Sequence, residues 1–166
     1  ELKGGPLAVE VARLLNQQGV NVHLHVAGLD LSAQYPDPFI TFYGLLDKDN
    51  PADAQQLHQL FSTCHVLLLP SRAEGYGLVF VEAAAYGLPS LAYATSGVKT
   101  AVRHGGSGIL FDPAQGRDAF VQQIWHWLEN PAEYQSICRS ARNHYEQSAN
   151  WQVAVSRLVD ELKDMI

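Results

Sequence analysis

Cysteine, methionine and positive charge are all scarce in this chain, and each scarcity removes a class of protein. The 166 residues hold two cysteines, Cys64 and Cys138, too few for a multi-bridge secreted scaffold. They read as reduced thiols of a reducing compartment, so a cytoplasmic setting is expected. Lys and Arg total 11 against 17 Asp and Glu, a net charge of −6. That balance argues against broad nucleic-acid binding, which needs a basic face to displace counterions. No apolar run approaches the roughly 18 residues that span a bilayer. The densest stretch, Val66 to Pro70, is strand-sized. Internal repeats, low-complexity tracts, charge blocks, a Gly-x-Ser-x-Gly elbow, a Walker loop and a secretory leader are not seen. The only methionine is Met165 and the chain opens Glu1-Leu2-Lys3-Gly4-Gly5, which leads to the expectation of a segment of a longer protein. What is abundant is apolar residue, 47% of the chain, enough for a sizeable single-domain core over residues 1–166.

The apolar pattern alternates between helix and strand periods from end to end. Gly4-Gly5-Pro6 opens a helix whose stripe is Leu7, Val11, Leu14 and Leu15, with Gly19 at its stop. Val20 to Gly28 and Phe39 to Tyr43 read as strands. Asn50-Pro51 reads as an N-cap and first-turn proline, ahead of a face of Ala54, Leu57, Phe61 and Cys64. His65 to Leu69 predicts a strand buried on both faces, Gly77 to Tyr86 a helix, and Pro89 to Ala94 a strand. A short helix is expected over Val98 to Arg103 and a short strand over Ile109 to Phe111. Helices then continue to the end, with Asn130-Pro131 as a cap. Trp151, Val155, Leu158, Val159, Leu162 and Ile166 form the last stripe. Strands separated by helix-length segments predict an α/β fold: a parallel sheet flanked by helices on both faces.

In such a sheet ligands bind beyond the carboxyl ends of the strands. The loop after Leu69, Pro70-Ser71-Arg72-Ala73-Glu74-Gly75-Tyr76-Gly77, stands out. Two glycines flank Tyr76 where a strand gives way to a helix. Unpaired N–H groups and the positive dipole end there favour a phosphate. Glu74 in the loop and Glu82 in the helix are hydroxyl acceptors, which suits a sugar or ribose joined through phosphate. The same pattern also suits a plain strand–helix turn with Glu82 on a solvated face. A dinucleotide fingerprint does not fit, because Phe80 stands where the third glycine belongs.

The stretch from Leu67 to Phe111 resembles the donor-binding domain of retaining family-4 (group 1) glycosyltransferases, enzymes of two Rossmann-like domains (the GT-B fold). The frame is Pro70-Ser71, Glu74-Gly75-Tyr76-Gly77, Glu82-Ala83 and Gly87-Leu88-Pro89, with seven residues between the two glutamates. The likeness extends over about residues 1–130. It implies a Rossmann-like domain whose first strand lies upstream of Glu1, and an acceptor saccharide or lipid held by an N-terminal domain. It implies that Glu74 contacts donor-sugar hydroxyls, and that the amides of Gly75, Tyr76, Gly77 and Leu78 meet the sugar and distal phosphate. Glu82 would hold the ribose. Lys3, in a Lys-Gly pair typical of the family, would neutralise the diphosphate beside an arginine placed before Glu1. Lys3 and Glu74 are thus the expected catalytic residues. No metal and no cofactor are expected, the donor being a nucleoside diphosphate sugar. Peripheral membrane attachment of the full-length enzyme fits the same family, whose last helix crosses back to the N-terminal domain, so that part of the Trp151 stripe would be left exposed here or docked on a neighbouring copy.

One departure concerns the loop after the next strand. The family often has Gly-Gly-x-x-Glu there, whereas this chain has Ser96-Gly97-Val98-Lys99-Thr100. Alternatives to a transferase are a nucleotide-sugar epimerase of similar fold and a non-catalytic nucleotide- or phosphosugar-binding module. His23 and His25 share a strand face but lack a third ligand at metal spacing. Asp47-x-Asp49 reads as a turn and cap. Trp125, Trp127 and Trp151 read as core or interdomain packing, and Cys64 as core.

Overall fold

A computed structural model describes residues 2–164. Helix α1 (Gly5–Gln17) leads through a short turn to β1 (Leu24–Val26), and a long loop returns to β2 (Ile40–Phe42). Helix α2 (Pro51–Thr63) precedes β3 (Leu67–Leu69), α3 (Leu78–Ala85), β4 (Ser90–Tyr93), α4 (Val98–Ala101) and β5 (Gly108–Phe111). Helices α5 (Gly116–Glu129), α6 (Pro131–His144) and α7 (Trp151–Asp164) complete the chain.

All three ladders among the described strands are parallel, as the alternation requires. The ladders form two sheets, β1-β2 and β3-β4-β5. Leu24 faces Ile40 in the first, while Leu67, Ser90 and Gly108 align across the second. The expected strand over Val20 to Gly28 joins the ladder only at Leu24–Val26. A strand upstream of Glu1 lies outside the described residues.

The order β3-β4-β5 makes β4 central, and all four of its residues are buried. Leu91 and Tyr93 point into a cluster with Val11 and Leu15 of α1, Phe120 and Trp127 of α5 and Ile137 of α6. Ala92 points the other way, toward Phe80 and Val81 of α3 and Val98 and Ala101 of α4. Helices therefore cover both faces, and each large side chain buried this way contributes roughly 1.5–3 kcal/mol. The strand expected to be buried on both faces, at Leu67–Leu69, is half-buried instead. Its apolar run is the same kind of signal as that of β4, but it pairs on one side only.

Helix α2 is also looser than its stripe suggests. None of its residues is buried, and Cys64, at its C-cap, is half-buried rather than core. Its start is well built. Asn50 Oδ1 accepts from the amides of Ala52 and Asp53 at 2.9 and 3.3 Å. Asn50→Ala should lower stability by about 1 kcal/mol, the usual loss for an N-cap. Denaturant titration checks this; an unchanged midpoint would show that the cap is dispensable. Asn130, by contrast, makes no side-chain cap bond to α6 and donates back to the His126 carbonyl.

The three tryptophans separate. Trp127 is buried, Trp125 donates to Gln18 Oε1, and Trp151 is 77% exposed. Val155, Leu158, Val159 and Leu162 are exposed with Trp151, so the apolar stripe of α7 faces outward; Ile166 lies outside the described residues. Among the described residues no helix is long and apolar enough to cross a membrane.

Candidate functional site

The carboxyl ends of β3 and β4 bring the candidate residues together. After β3 the chain runs through Pro70 and Ser71, both buried, and then opens to solvent at Tyr76. Gly77 begins α3 with φ 79° and ψ 61°, a left-handed conformation that glycine adopts without strain. A Cβ there would also sit 2.6 Å from the Phe80 ring. Among the described residues the amides of Gly75, Tyr76, Gly77 and Leu78 have no backbone acceptor. The loop therefore presents a run of free N–H groups at the positive end of α3.

Glu74 is held from two sides. Lys3 Nζ lies 2.6 Å from its Oε1, and Ser71 Oγ donates to the same oxygen at 3.0 Å. The two partners differ sharply in exposure: the Glu74 side chain is 9% exposed and that of Lys3 68%. The carboxylate is thus fixed by the fold, while the ammonium can swing away cheaply. Lys3 is placed by the first residues of the chain, where the Arg72 amide donates to the Leu2 carbonyl at 2.9 Å. A cavity of about 530 Å³ opens beside Lys3, bounded by Leu2, Pro6, Leu29 and Leu31.

Glu82 lies one helical turn beyond Leu78, so both share the face of α3 that rises toward its N-terminus. Its Oε1 is bonded to Lys48 Nζ, from the turn after β2. A groove of about 500 Å³ between α2 and α3 reaches Leu78, Glu82 and Lys48.

The loop after β4 braces this arrangement. Thr95 Oγ1 donates to the Ser71 carbonyl at 3.2 Å. Gly97 packs so closely that a Cβ on it would stand 1.6 Å from the Gly75 carbonyl oxygen. Ser96 has φ 30°, the one non-glycine residue described with positive φ, at the position where the resembling family often has glycine. Tyr93, at the end of β4, is buried with its hydroxyl unpartnered. Burial pushes its phenol up, and the Arg72 charge opposes that.

Lys3, Glu74, Gly75, Tyr76, Gly77, Leu78 and Glu82 therefore all lie around one strand–helix junction, with Lys3 and Glu74 in contact. Sequence reasoning passed over Lys48, the bracing by Gly97 and Thr95, and the hydrogen bond from Ser71. Ser71 and Gly97 carried local signals, as parts of the Pro-Ser frame and of the Ser96-Gly97 loop; Lys48 and Thr95 carried none. His23 and His25 lie elsewhere. They bond Thr41 and Tyr43 respectively, and burial together with the charge of His23 keeps His25 below its ordinary pKa. Among the described residues no group of three or more His, Cys, Asp and Glu converges as a metal site. Asp47 and Asn50 form the expected turn and cap.

Comparison with known proteins identifies the family and the fold. The family model "Glycosyl transferases group 1" matches residues 1–144. The chain is 36% identical over 112 residues to D-inositol 3-phosphate glycosyltransferase 1 of Catenulispora acidiphila, covering 66% of this chain and 26% of that protein. It is 29% identical over 158 residues to the D-inositol 3-phosphate glycosyltransferase of an Arthrobacter species, covering 91% of this chain and 37% of the relative. The chain thus spans well under half of these relatives. In fold it resembles Anabaena HepE, solved in complex with UDP, with a TM-score of 0.75 at 22% identity over 99% of this chain and 46% of HepE. It also resembles the C-terminal domain of the group 1 glycosyl transferase LpcC from Francisella tularensis, with a TM-score of 0.71 at 15% identity over 90% of this chain and 81% of that one. The chain belongs to the glycosyl transferases group 1 family, and its fold is that of the C-terminal domain of such an enzyme.

Proposed function

We propose that this domain binds a nucleoside diphosphate sugar and that the whole protein transfers the sugar to an acceptor, held by another domain, with retention of configuration. The observation that carries the reading is the junction itself. Free amides at the start of α3 lie at one junction with an exposed lysine and two carboxylates, each paired with a lysine.

The chemistry follows from where charge develops. Cleavage of the sugar–phosphate bond leaves negative charge on the departing diphosphate. The α3 amides are preorganised donors for that charge, and Lys3 joins them once it leaves Glu74. Glu74 accepts hydrogen bonds from sugar hydroxyls, and Ser71 keeps its carboxylate in place once Lys3 turns to the phosphate. Glu82 accepts from the ribose hydroxyls. Retention rests on the resemblance of the Glu74 to Glu82 frame to retaining enzymes. That HepE was solved with UDP supports a nucleoside diphosphate as the ligand class.

The reading requires no divalent metal, because Lys3 and the helix end supply the positive charge. UDP and UDP-glucose are therefore expected to raise the thermal midpoint by mass action, with or without chelator. Failure of every nucleoside diphosphate and its sugars to shift the midpoint would overturn donor binding. A strict need for magnesium or manganese would overturn the charge argument alone.

A further inference from the structure

The turn after β2 is small and unusually well tied. The Asp49 amide donates to Asp47 Oδ1 at 2.9 Å, and the Asp47 amide donates to Asp53 Oδ2 at 3.0 Å. The Asn50 amide closes on the Asp47 carbonyl at 3.1 Å. Asp47 and Asp53 thus spend their carboxylates on backbone amides within this segment. Lys48, in the middle of three acidic neighbours, bonds none of them. Its side chain reaches across to Glu82, 34 residues away on α3.

That choice has a chemical consequence at the site. We propose that Lys48 is a positioning residue for the donor's ribose: it holds the Glu82 carboxylate toward the ligand. The proposal rests on the assignment of Glu82 to the ribose. Glu82 uses Oε1 for Lys48, while Oε2 accepts from no other described residue and is available to a hydroxyl. A carboxylate accepts through several lone pairs and an ammonium has three donors, so Glu82 can keep Lys48 and bind hydroxyls together. The side chains of Lys48 and Glu82 are 62% and 33% exposed, which leaves the pair reachable by ligand but damped by solvent.

The test is a double-mutant cycle read by calorimetry with UDP, and with inorganic pyrophosphate as a ligand lacking ribose. Lys48→Met keeps length and removes charge; it should weaken UDP about fivefold, the size of a good half-exposed ion pair. Lys48→Arg should restore most of that loss. In a Glu82→Gln background Lys48→Met should cost nothing further, and pyrophosphate affinity should not change. An equal loss in the Glu82→Gln background, or with pyrophosphate, would mean that Lys48 acts on the ligand directly and would overturn the proposal. So would wild-type UDP affinity in Lys48→Met accompanied only by a lower thermal midpoint, since the pair would then be structural. If Glu82→Gln itself binds UDP like the wild type, the ribose assignment fails first and Lys48 loses its role with it.

Discussion

Gly97→Ala is expected to cost the protein most of its nucleotide affinity although Gly97 is not itself a proposed ligand contact. The added Cβ would stand 1.6 Å from the Gly75 carbonyl oxygen, 2.6 Å from its carbon and 2.9 Å from Tyr76 Cα. All three are backbone atoms, so no side chain can swing aside to make room. The backbone at Gly97 has φ −65° and ψ −14°, which alanine adopts without strain. The effect is therefore one of space and not of conformation. Either the Gly75–Gly77 loop or the loop after β4 must move. Overpacking of this kind costs about 1–3 kcal/mol of stability. A loop shifted by about an ångström no longer aims its amides at the phosphate, and such misplacement can cost on the order of 10²-fold in function. UDP calorimetry beside a thermal melt measures both. A folded variant with wild-type UDP affinity would show that the brace between the two loops does not position the donor.

The second large effect divides the two glutamates by ligand. Glu82→Ala should weaken UDP by about 1–3 kcal/mol, the usual loss of a charged hydrogen-bond partner. Glu74→Gln should leave UDP unchanged or slightly tighter, because removing a negative charge beside the diphosphate frees Lys3 to meet it. The same Glu74→Gln change should weaken UDP-glucose, whose hydroxyls lose their charged acceptor. The amide is preferred to alanine here because Glu74 is nearly buried and Ser71 keeps a partner on the retained oxygen. Titrations of both variants with UDP and with UDP-glucose decide the matter. Equal losses for the two ligands in both variants would end the division of roles.

Much of this was legible in the residues. Alternation of strand-sized apolar runs with amphipathic stretches predicts a parallel α/β sheet, because the two periods place side chains on opposite faces or along one stripe. The turn at Asp47 to Asn50 and the helix start at Gly77 were readable as well, since caps and tight turns are decided within a few residues. So was the family, because the frame from Pro70 to Pro89 is contiguous and carries its glycines and glutamates at fixed spacing.

Other features depended on the tertiary structure. Val66 to Leu69 and Ser90 to Tyr93 are both strand-length and mainly apolar, yet only β4 is buried throughout, because strand order gives it a partner on each side. Glu74 meets a lysine 71 residues away, and Glu82 meets one 34 residues away in a turn that reads locally as nothing but a cap. Gly97 shows its need for a missing Cβ only once β3 and β4 are set side by side and their loops touch. Periodicity and capping report what each segment does to its own backbone and its own faces. Which carboxylate meets which ammonium depends on where parallel strands deliver their carboxyl-end loops, and that is set by sheet order and helix packing over the whole domain.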